Sequence, residues 1–292
     1  MKVGIVGLGR MGAAMAERLR QEGFEVSGWD RNSRTAQGAA WLQIAAGAAD
    51  VAARADVVIS SITDDHGVRG IFSGPQGFFE TDIKGKLFIE MSTLQPMTAR
   101  ELAPLVEARG ASFIDSPVLG TIPQARSGAL LAMVGARPEV LDRARPVLGK
   151  LTKRIAHMGP NGAGYAMKLA ANLGLGAYIQ ALAESLALGL RQGLTVEQML
   201  DVILDGPVAC GWLKSKLDVV KGGTGEMTLD IRTLRKDFMS MVATGAQGGV
   251  PMPLASATLT SLSAAVGANY GDGDLAEMPK FLRETMLQKF VV

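Results

Sequence analysis

The feature that most restricts this chain is the point where its strand-like runs stop. Up to about residue 155, short apolar runs alternate with amphipathic stretches. "KVGIVGLG" (2–9), "EVSGWD" (25–30), "DVVISSI" (56–62), "KLFIEMS" (86–92) and "SFIDSPV" (112–118) read as strands, followed by "ALLAMVG" (129–135) and "RIAHMG" (154–159). Helical segments such as Ala13 to Glu22 and Ala99 to Ala108 lie between the first five. That alternation means βαβ units and a mainly parallel, doubly wound sheet covered on both faces. After "GPNGAG" (159–164) no such run recurs, and helical periodicity carries the chain to its end. A Gly/Pro/Asn cluster marks a hinge or a helix start. The expected architecture is an α/β domain over 1–161 and an all-helical domain over 162–292, joined by a long apolar helix over about 163–191.

The first strand runs straight into Gly7-Leu8-Gly9-Arg10-Met11-Gly12, a G-x-G-x-x-G. A glycine pattern alone is weak, but here a helix follows, then a second strand, then the acidic Asp30 about twenty positions on. This is the dinucleotide fingerprint of a Rossmann domain: the glycines admit a pyrophosphate to the backbone and the helix N-terminus favours its charge. Asp30 would accept hydrogen bonds from a ribose diol and favour NAD. Arg31, Asn32 and Arg34 beside it could cradle a 2′-phosphate instead, or be solvated loop charges. The two arginines tip the expectation to NADP(H) over NAD(H).

The balance of 30 Lys+Arg against 28 Asp+Glu, with no basic block, points to neither nucleic acid nor an anionic membrane surface as partner. The single cysteine, Cys210, allows no internal disulfide and suits a reducing compartment. "MKVGIVGLG" reaches glycine punctuation too soon for a secretory leader, and the apolar stretch 169–190 carries Asn172, Gln180, Glu184 and glycines 174, 176 and 189. The expectation is a cytoplasmic protein with a buried core helix. A helix apolar on every side is buried all round, which in so small a helical domain implies a subunit contact and a homodimer or homotetramer.

A nicotinamide cofactor implies hydride transfer, and the substrate oxygen then needs a proton donor or acceptor. The chain has two histidines: His66 in "TDDHG", expected in a surface loop, and His157, expected to be structural. Lys168 is the better candidate. Between Arg154 and Arg191 only Lys168 and Glu184 are formally charged, and burial draws a lysine's pKa toward neutrality. Asn172 lies at i+4 on the same helical face, placed to orient the lysine or hold the substrate oxygen. A lysine snorkelling to solvent beside a capping asparagine fits the same spacing. No metal is expected, since one cysteine and two distant histidines form no ligand cluster and "GDGDL" (271–275) lacks the ligands of a calcium loop.

Four segments together resemble the β-hydroxyacid dehydrogenase family, relatives of 3-hydroxyisobutyrate dehydrogenase, tartronate semialdehyde reductase and the glyoxylate/succinic semialdehyde reductases. They are "VGIVGLGRMGAAMA", "DSPVLGTIPQARSGALLAMVGA" (115–136), "GAGYAMKLAAN" (162–172) and "LRKDFMSM" (234–241), in order and over nearly the whole chain. The resemblance implies an NAD(P)-dependent oxidoreductase, 6-phosphogluconate dehydrogenase-like in plan, interconverting a small 3-hydroxy acid and its semialdehyde. Lys168 matches the family's catalytic lysine and Asn172 the asparagine one turn on. Leu119, Gly120 and Thr121 match the loop that binds the substrate carboxylate. Lys236 matches a lysine near the nicotinamide, and Ile62, Thr63 and Thr93 match cofactor contacts.

Two departures stand out. The family loop usually reads Pro-Val-Ser-Gly-Gly, whereas this one is Pro117-Val118-Leu119-Gly120-Thr121, and Ala171 replaces a second asparagine. Losing the serine hydroxyl removes a donor for a carboxylate, leaving backbone amides and the Thr121 hydroxyl to serve. Imine reduction on the same two-domain plan is the alternative chemistry, against which Lys168 argues. A non-catalytic dinucleotide-binding scaffold is the alternative class, against which the same lysine argues.

Overall fold

The computed structural model of the chain describes residues 1–32 and 41–288, so Arg34 lies outside the described residues. The sheet-forming runs are β1 (Lys2–Val6), β2 (Glu25–Trp29), β3 (Gln43–Ile44), β4 (Val57–Ser60), β5 (Leu87–Glu90), β6 (Ser112–Asp115), β7 (Val118–Leu119), β8 (Leu130–Gly135) and β9 (Thr152–Gly159). They form one sheet in the order β3-β2-β1-β4-β5-β6-β8-β7, with β9 also on β8. From β3 to β6 every pairing is parallel; β8 then runs antiparallel to β6 and β7. The two-residue β3 is too short to carry a periodicity, and "SFIDSPV" divides into β6 and β7 around Pro117, which has no N–H to give a ladder.

Helices cover both faces, as near-continuous apolar strands require. On one side α1 (Arg10–Gln21) buries Met15 and Leu19 against Ile5 and Ile59. On the other, α2 (Ala48–Arg54), α3 (Asp65–Ser73) and α4 (Pro96–Glu107) close a core around Phe72, Phe78, Phe88 and Phe113. Phe72 and Phe78 meet edge to face at 4.8 Å, a geometry that adds about 0.5–1.5 kcal/mol to area burial. His66 sits exposed in the first turn of α3, not in a loop, because Asp64 caps that helix through the Gly67 N–H at 2.7 Å. Also in this part, among the described residues, are α5 (Ile122–Ser127) and α6 (Pro138–Leu151).

The helical part begins with α7 (Ala163–Arg191) and continues through α8 (Val196–Asp205), α9 (Gly211–Val220), α10 (Ile231–Gln247), α11 (Pro253–Gly267) and α12 (Met278–Gln288). The chain divides into two compact units, Met1–Ala170 and Ala171–Val292. The division falls inside α7 because the helix's first turns are tied to the sheet while Leu182 and Leu186 pack with Leu200 and Leu213 of the helical unit. α7 is long and apolar enough to cross a membrane by length and composition; its Asn172 and Gln180 are buried and hydrogen-bonded, but Met167 and Leu188 are exposed, so the helix is not buried all round within this chain.

Candidate active site

Two of the three glycines after β1, Gly7 and Gly12, are required by close approach. Gly7 has φ +91°, and a Cβ there would lie 2.2 Å from the Ser61 carbonyl oxygen. A Cβ on Gly12 would lie 1.8 Å from the Gly7 oxygen, whereas one on Gly9 would meet nothing within 4 Å. Gly9 begins α1 without a side-chain cap, and the first turn carries no acidic residue. The open space at Gly9 and the uncapped helix end fit a dinucleotide pyrophosphate. Leu8 is buried in the core and Met11 packs against it, so these two offer that ligand backbone and not side chain. Arg10 is exposed.

Asp30, just past β2, is tied down twice: Oδ2 accepts the Leu8 N–H and Oδ1 the Asn32 N–H, each at 2.7 Å. It thereby fixes the glycine loop as well as facing it. Arg31 and Asn32 are exposed. Ile62 and Thr63 follow β4 and Thr93 follows β5, at the carboxyl ends of parallel strands where ligands of such sheets bind.

Two buried acids that the sequence did not single out lie beneath these positions. Glu90 ends β5 with no exposed surface, and its carboxylate accepts from the hydroxyls of Ser92 and Tyr165, from the Ser92 N–H at 3.0 Å and from the Ser60 hydroxyl at 3.4 Å. Burial pushes its pKa up to about 7 against the opposing pull of those donors. Asp115 ends β6 and accepts the Gly162 N–H at 2.8 Å and the Tyr165 N–H at 3.1 Å. It therefore acts as the N-cap of α7 from a distant strand. Burial also raises its pKa, to about 6, while the same amides lower it. The contact is so close that a Cβ on Gly164 would lie 2.4 Å from the Met133 carbonyl oxygen.

Lys168 is half-buried on α7, one turn beyond Tyr165. In the helical unit Asn172 is 4% exposed, and its Nδ2 donates to Asp237 Oδ2 at 2.7 Å. Asp237 is a carboxylate that only accepts, so the amide group must face it and the carboxamide oxygen faces elsewhere. The other Asp237 oxygen lies 2.7 Å from Lys236 Nζ. One buried acid thus orders both Asn172 and Lys236. Its signal was present in "LRKDFMSM": Asp237 falls on the same helical face as Leu234, Phe238 and Met241, all buried.

The 119–121 segment is bent by Gly120 at φ +130°, where a Cβ would lie 2.7 Å from Leu130 Cδ2. Leu119 pairs with Leu131 across β7 and β8. Thr121 turns its donors to one acceptor: its N–H reaches Gln124 Oε1 at 2.8 Å and its hydroxyl donates to the same oxygen. A carboxylate binding here through Thr121 has to displace that side chain. His157 Nε2 lies 2.8 Å from the Ala136 carbonyl on the outer strand β9. In "GDGDL", Asp272 pairs with Arg232 and Asp274 holds Lys216 at 2.8 Å, both tasks of structure.

A parallel sheet whose glycine loop opens onto a helix N-terminus without a side-chain cap has the form of a dinucleotide-binding domain. Residues 2–159 match the NAD binding domain of 6-phosphogluconate dehydrogenase, and residues 162–282 match the family described as NAD-binding of NADP-dependent 3-hydroxyisobutyrate dehydrogenase. The chain is 32% identical over 262 residues to 2-(hydroxymethyl)glutarate dehydrogenase of Eubacterium barkeri, covering 87% of this chain and 85% of that one. It is 27% identical to glyoxylate/succinic semialdehyde reductase 1 of Arabidopsis thaliana, over 97% and 100%. The structure of Mycobacterium tuberculosis 3-hydroxyisobutyrate dehydrogenase with L-serine superposes with TM-score 0.84 at 29% identity, over 97% and 99% of the two chains. The chain belongs to the β-hydroxyacid dehydrogenase family and is an NAD(P)-dependent hydroxyacid oxidoreductase. An imine reductase of Myxococcus stipitatus, at 20% identity and TM-score 0.67, shares the fold alone, and the scaffold reading gives way to the enzyme.

Proposed function

We propose that this enzyme interconverts a small 3-hydroxy acid and its semialdehyde, with Lys168 as the proton donor and acceptor at the substrate oxygen. The observation that carries this reading is the hydrogen bond by which Asp237 orients the Asn172 carboxamide, four residues along α7 from half-buried Lys168. A nicotinamide, when bound, supplies or takes the hydride at the carbonyl carbon. In the reducing direction Lys168 Nζ gives its proton to the oxygen as negative charge develops there. The Asn172 oxygen accepts from the ammonium or from the product hydroxyl and so holds donor and acceptor in line. Leu119, Gly120 and Thr121 would hold the substrate's acid group, and Lys236, Ile62, Thr63 and Thr93 the cofactor.

We further propose NADP(H) over NAD(H). Both Asp30 oxygens already accept a backbone amide, and the exposed Arg31 follows directly. Replacing Arg31 with Ala is then expected to raise KM for NADPH ~10-fold while leaving KM for NADH unchanged. A homodimer or homotetramer is proposed from α7 and its surroundings: much of this apolar helix is left uncovered by its own chain, and Leu188 is 67% exposed. A concentration-independent monomer in sedimentation would remove that proposal. Cys210, unpaired and half-buried, accords with the cytoplasmic location proposed for the enzyme.

The test follows NADPH and NADH oxidation with glyoxylate, succinic semialdehyde, methylmalonate semialdehyde and a cyclic imine, beside Lys168→Ala. The expected result is reduction of a semialdehyde and a loss of ~10²–10⁴ in kcat in the variant, the usual range for a general acid. Reduction of the imine alone, or an unimpaired variant, overturns the proposal.

A further inference from the structure

The cluster of Ser60, Glu90, Ser92 and Tyr165 is fully inside the α/β unit, and the proposed reaction uses none of it. Four donors converge on the Glu90 carboxylate, and the Ser92 hydroxyl, itself one of them, accepts the Ile62 N–H at 2.7 Å. Burying a carboxylate costs several kcal/mol, and apolar residues of similar volume fill such a space at less cost. Such a cluster is therefore weak evidence of a stabilising role.

What the cluster joins is more informative. Tyr165 precedes Lys168 by three residues, so the two side chains lie on one face of α7. Asp115 holds the backbone at that turn, through Gly162 and Tyr165, and so fixes how far the helix advances on the sheet. Rotation about the helix axis is a separate freedom. The Tyr165 hydroxyl reaches Glu90 from well off the axis, where it can oppose rotation. Turning a helix by about 10° moves a side-chain tip some 5–6 Å from its axis by about 1 Å. A misplacement of about 1 Å can cost ~10²-fold in rate. At its other end the cluster holds the Ile62 amide after β4, on the side of the sheet where the glycine loop lies.

We propose that Glu90 is a positioning residue for the reaction: through Tyr165 it sets the rotation of the lysine-bearing helix, and through Ser92 it sets the Ile62 amide at the same time. This rests on the reading of Lys168 as proton donor. Glu90 touches no reacting atom. It ties the strand end beside the glycine loop to the helix that carries the lysine.

Tyr165→Phe tests it with least disturbance, since the ring still fills the core and Asp115 still holds the backbone. Glu90→Gln is the second variant, and Lys168→Ala the control. Each is assayed with NADPH and succinic semialdehyde, and the pH dependence of Lys168 acetylation is followed by mass spectrometry without substrate. In Tyr165→Phe we expect kcat to fall ~10-fold or more, KM for the semialdehyde to stay within about twofold, and the midpoint of Lys168 labelling to move. Glu90→Gln should add a rise in KM for NADPH, because the Ser92–Ile62 bond loses its support. Wild-type kcat and an unmoved labelling profile in Tyr165→Phe overturn the inference, whatever happens to Tm. If Lys168→Ala retains activity, it is the proton-donor reading that fails. The labelling profile then decides on its own: a shift supports the tether and none removes it.

Discussion

The two halves of α7 are held by opposite chemistry. Its first turns are gripped by polar, directional contacts: the Asp115 carboxylate on two backbone amides, the Tyr165 hydroxyl on Glu90, and Gly164 pressed to the Met133 carbonyl. Its later turns are embedded in side-chain packing, with Leu182 and Leu186 in the apolar core and Gly189 against Met199. Apolar burial is strong but non-directional, and tolerates small shifts. Hydrogen bonds to buried carboxylates are expensive to arrange but fix position closely. Lys168 sits just after the directional half. The difference teaches that one helix can receive its stability from one end and its accuracy from the other.

The largest effect is expected from Gly164→Ala. The new Cβ meets a backbone oxygen at 2.4 Å, which cannot swing aside, so the helix must lift from the sheet. The cost should reach about 3 kcal/mol, the upper end for overpacking, with kcat lower by ~10²-fold in the protein that still folds. Gly189→Ala sharpens the contrast. Its Cβ would lie 2.1 Å from Met199 Sδ, the middle of a flexible side chain, so about 1 kcal/mol should be lost and kcat kept. Urea denaturation alongside steady-state kinetics separates the two; equal kcat losses would break the comparison.

Truncating Leu186, 2% exposed, to alanine should cost about 2–3 kcal/mol with kcat unchanged, since only packing is lost. Asp237→Asn should do the reverse. It removes the charge beside Lys236 while keeping one acceptor for Asn172, so stability should fall by only about 1–2 kcal/mol, with kcat down ~10-fold. A variant that loses stability as Leu186→Ala does, yet keeps its rate, would show that Asp237 belongs with the packing half.

Much of this was legible in the sequence. The strand–helix alternation, the glycine loop with Asp30, and the bounds of α7 are local patterns, and apart from β3 and the break at Pro117 they lie close to where their spacing placed them. What was hidden is long-range. Glu90 and Tyr165 are 75 residues apart, and Asp115 and Gly162 are 47 apart. An acid at the end of an apolar strand carries no mark of the partner it will meet. The Thr121–Gln124 contact was hidden for another reason: the spacing alone would let the hydroxyl face a substrate, whereas in the structure it turns to its neighbour. Asp237 was readable in principle, as an acid on an apolar helical face.

The last expectation is a pH dependence that enters through the directional half. Glu90 has its pKa raised from 4.5 to about 7 and Asp115 from 3.8 to about 6, both by burial. The folded state therefore keeps protons that the unfolded chain has already released in these windows. Unfolded chains then bind fewer protons, so stability falls as pH rises from about 4 to 7 and levels off above it. Each group contributes a slope of at most about 1 kcal/mol per pH unit. Glu90→Gln should flatten the upper part of that window, between about pH 6 and 7, and leave the part due to Asp115. Amide exchange read along α7 gives the sharper form. Protection in the turn around Tyr165 should fall with pH across this range, after correction for intrinsic exchange, while that around Leu186 follows global unfolding alone. If both turns respond alike, the two carboxylates act on the whole molecule and the helix does not have two separately held halves.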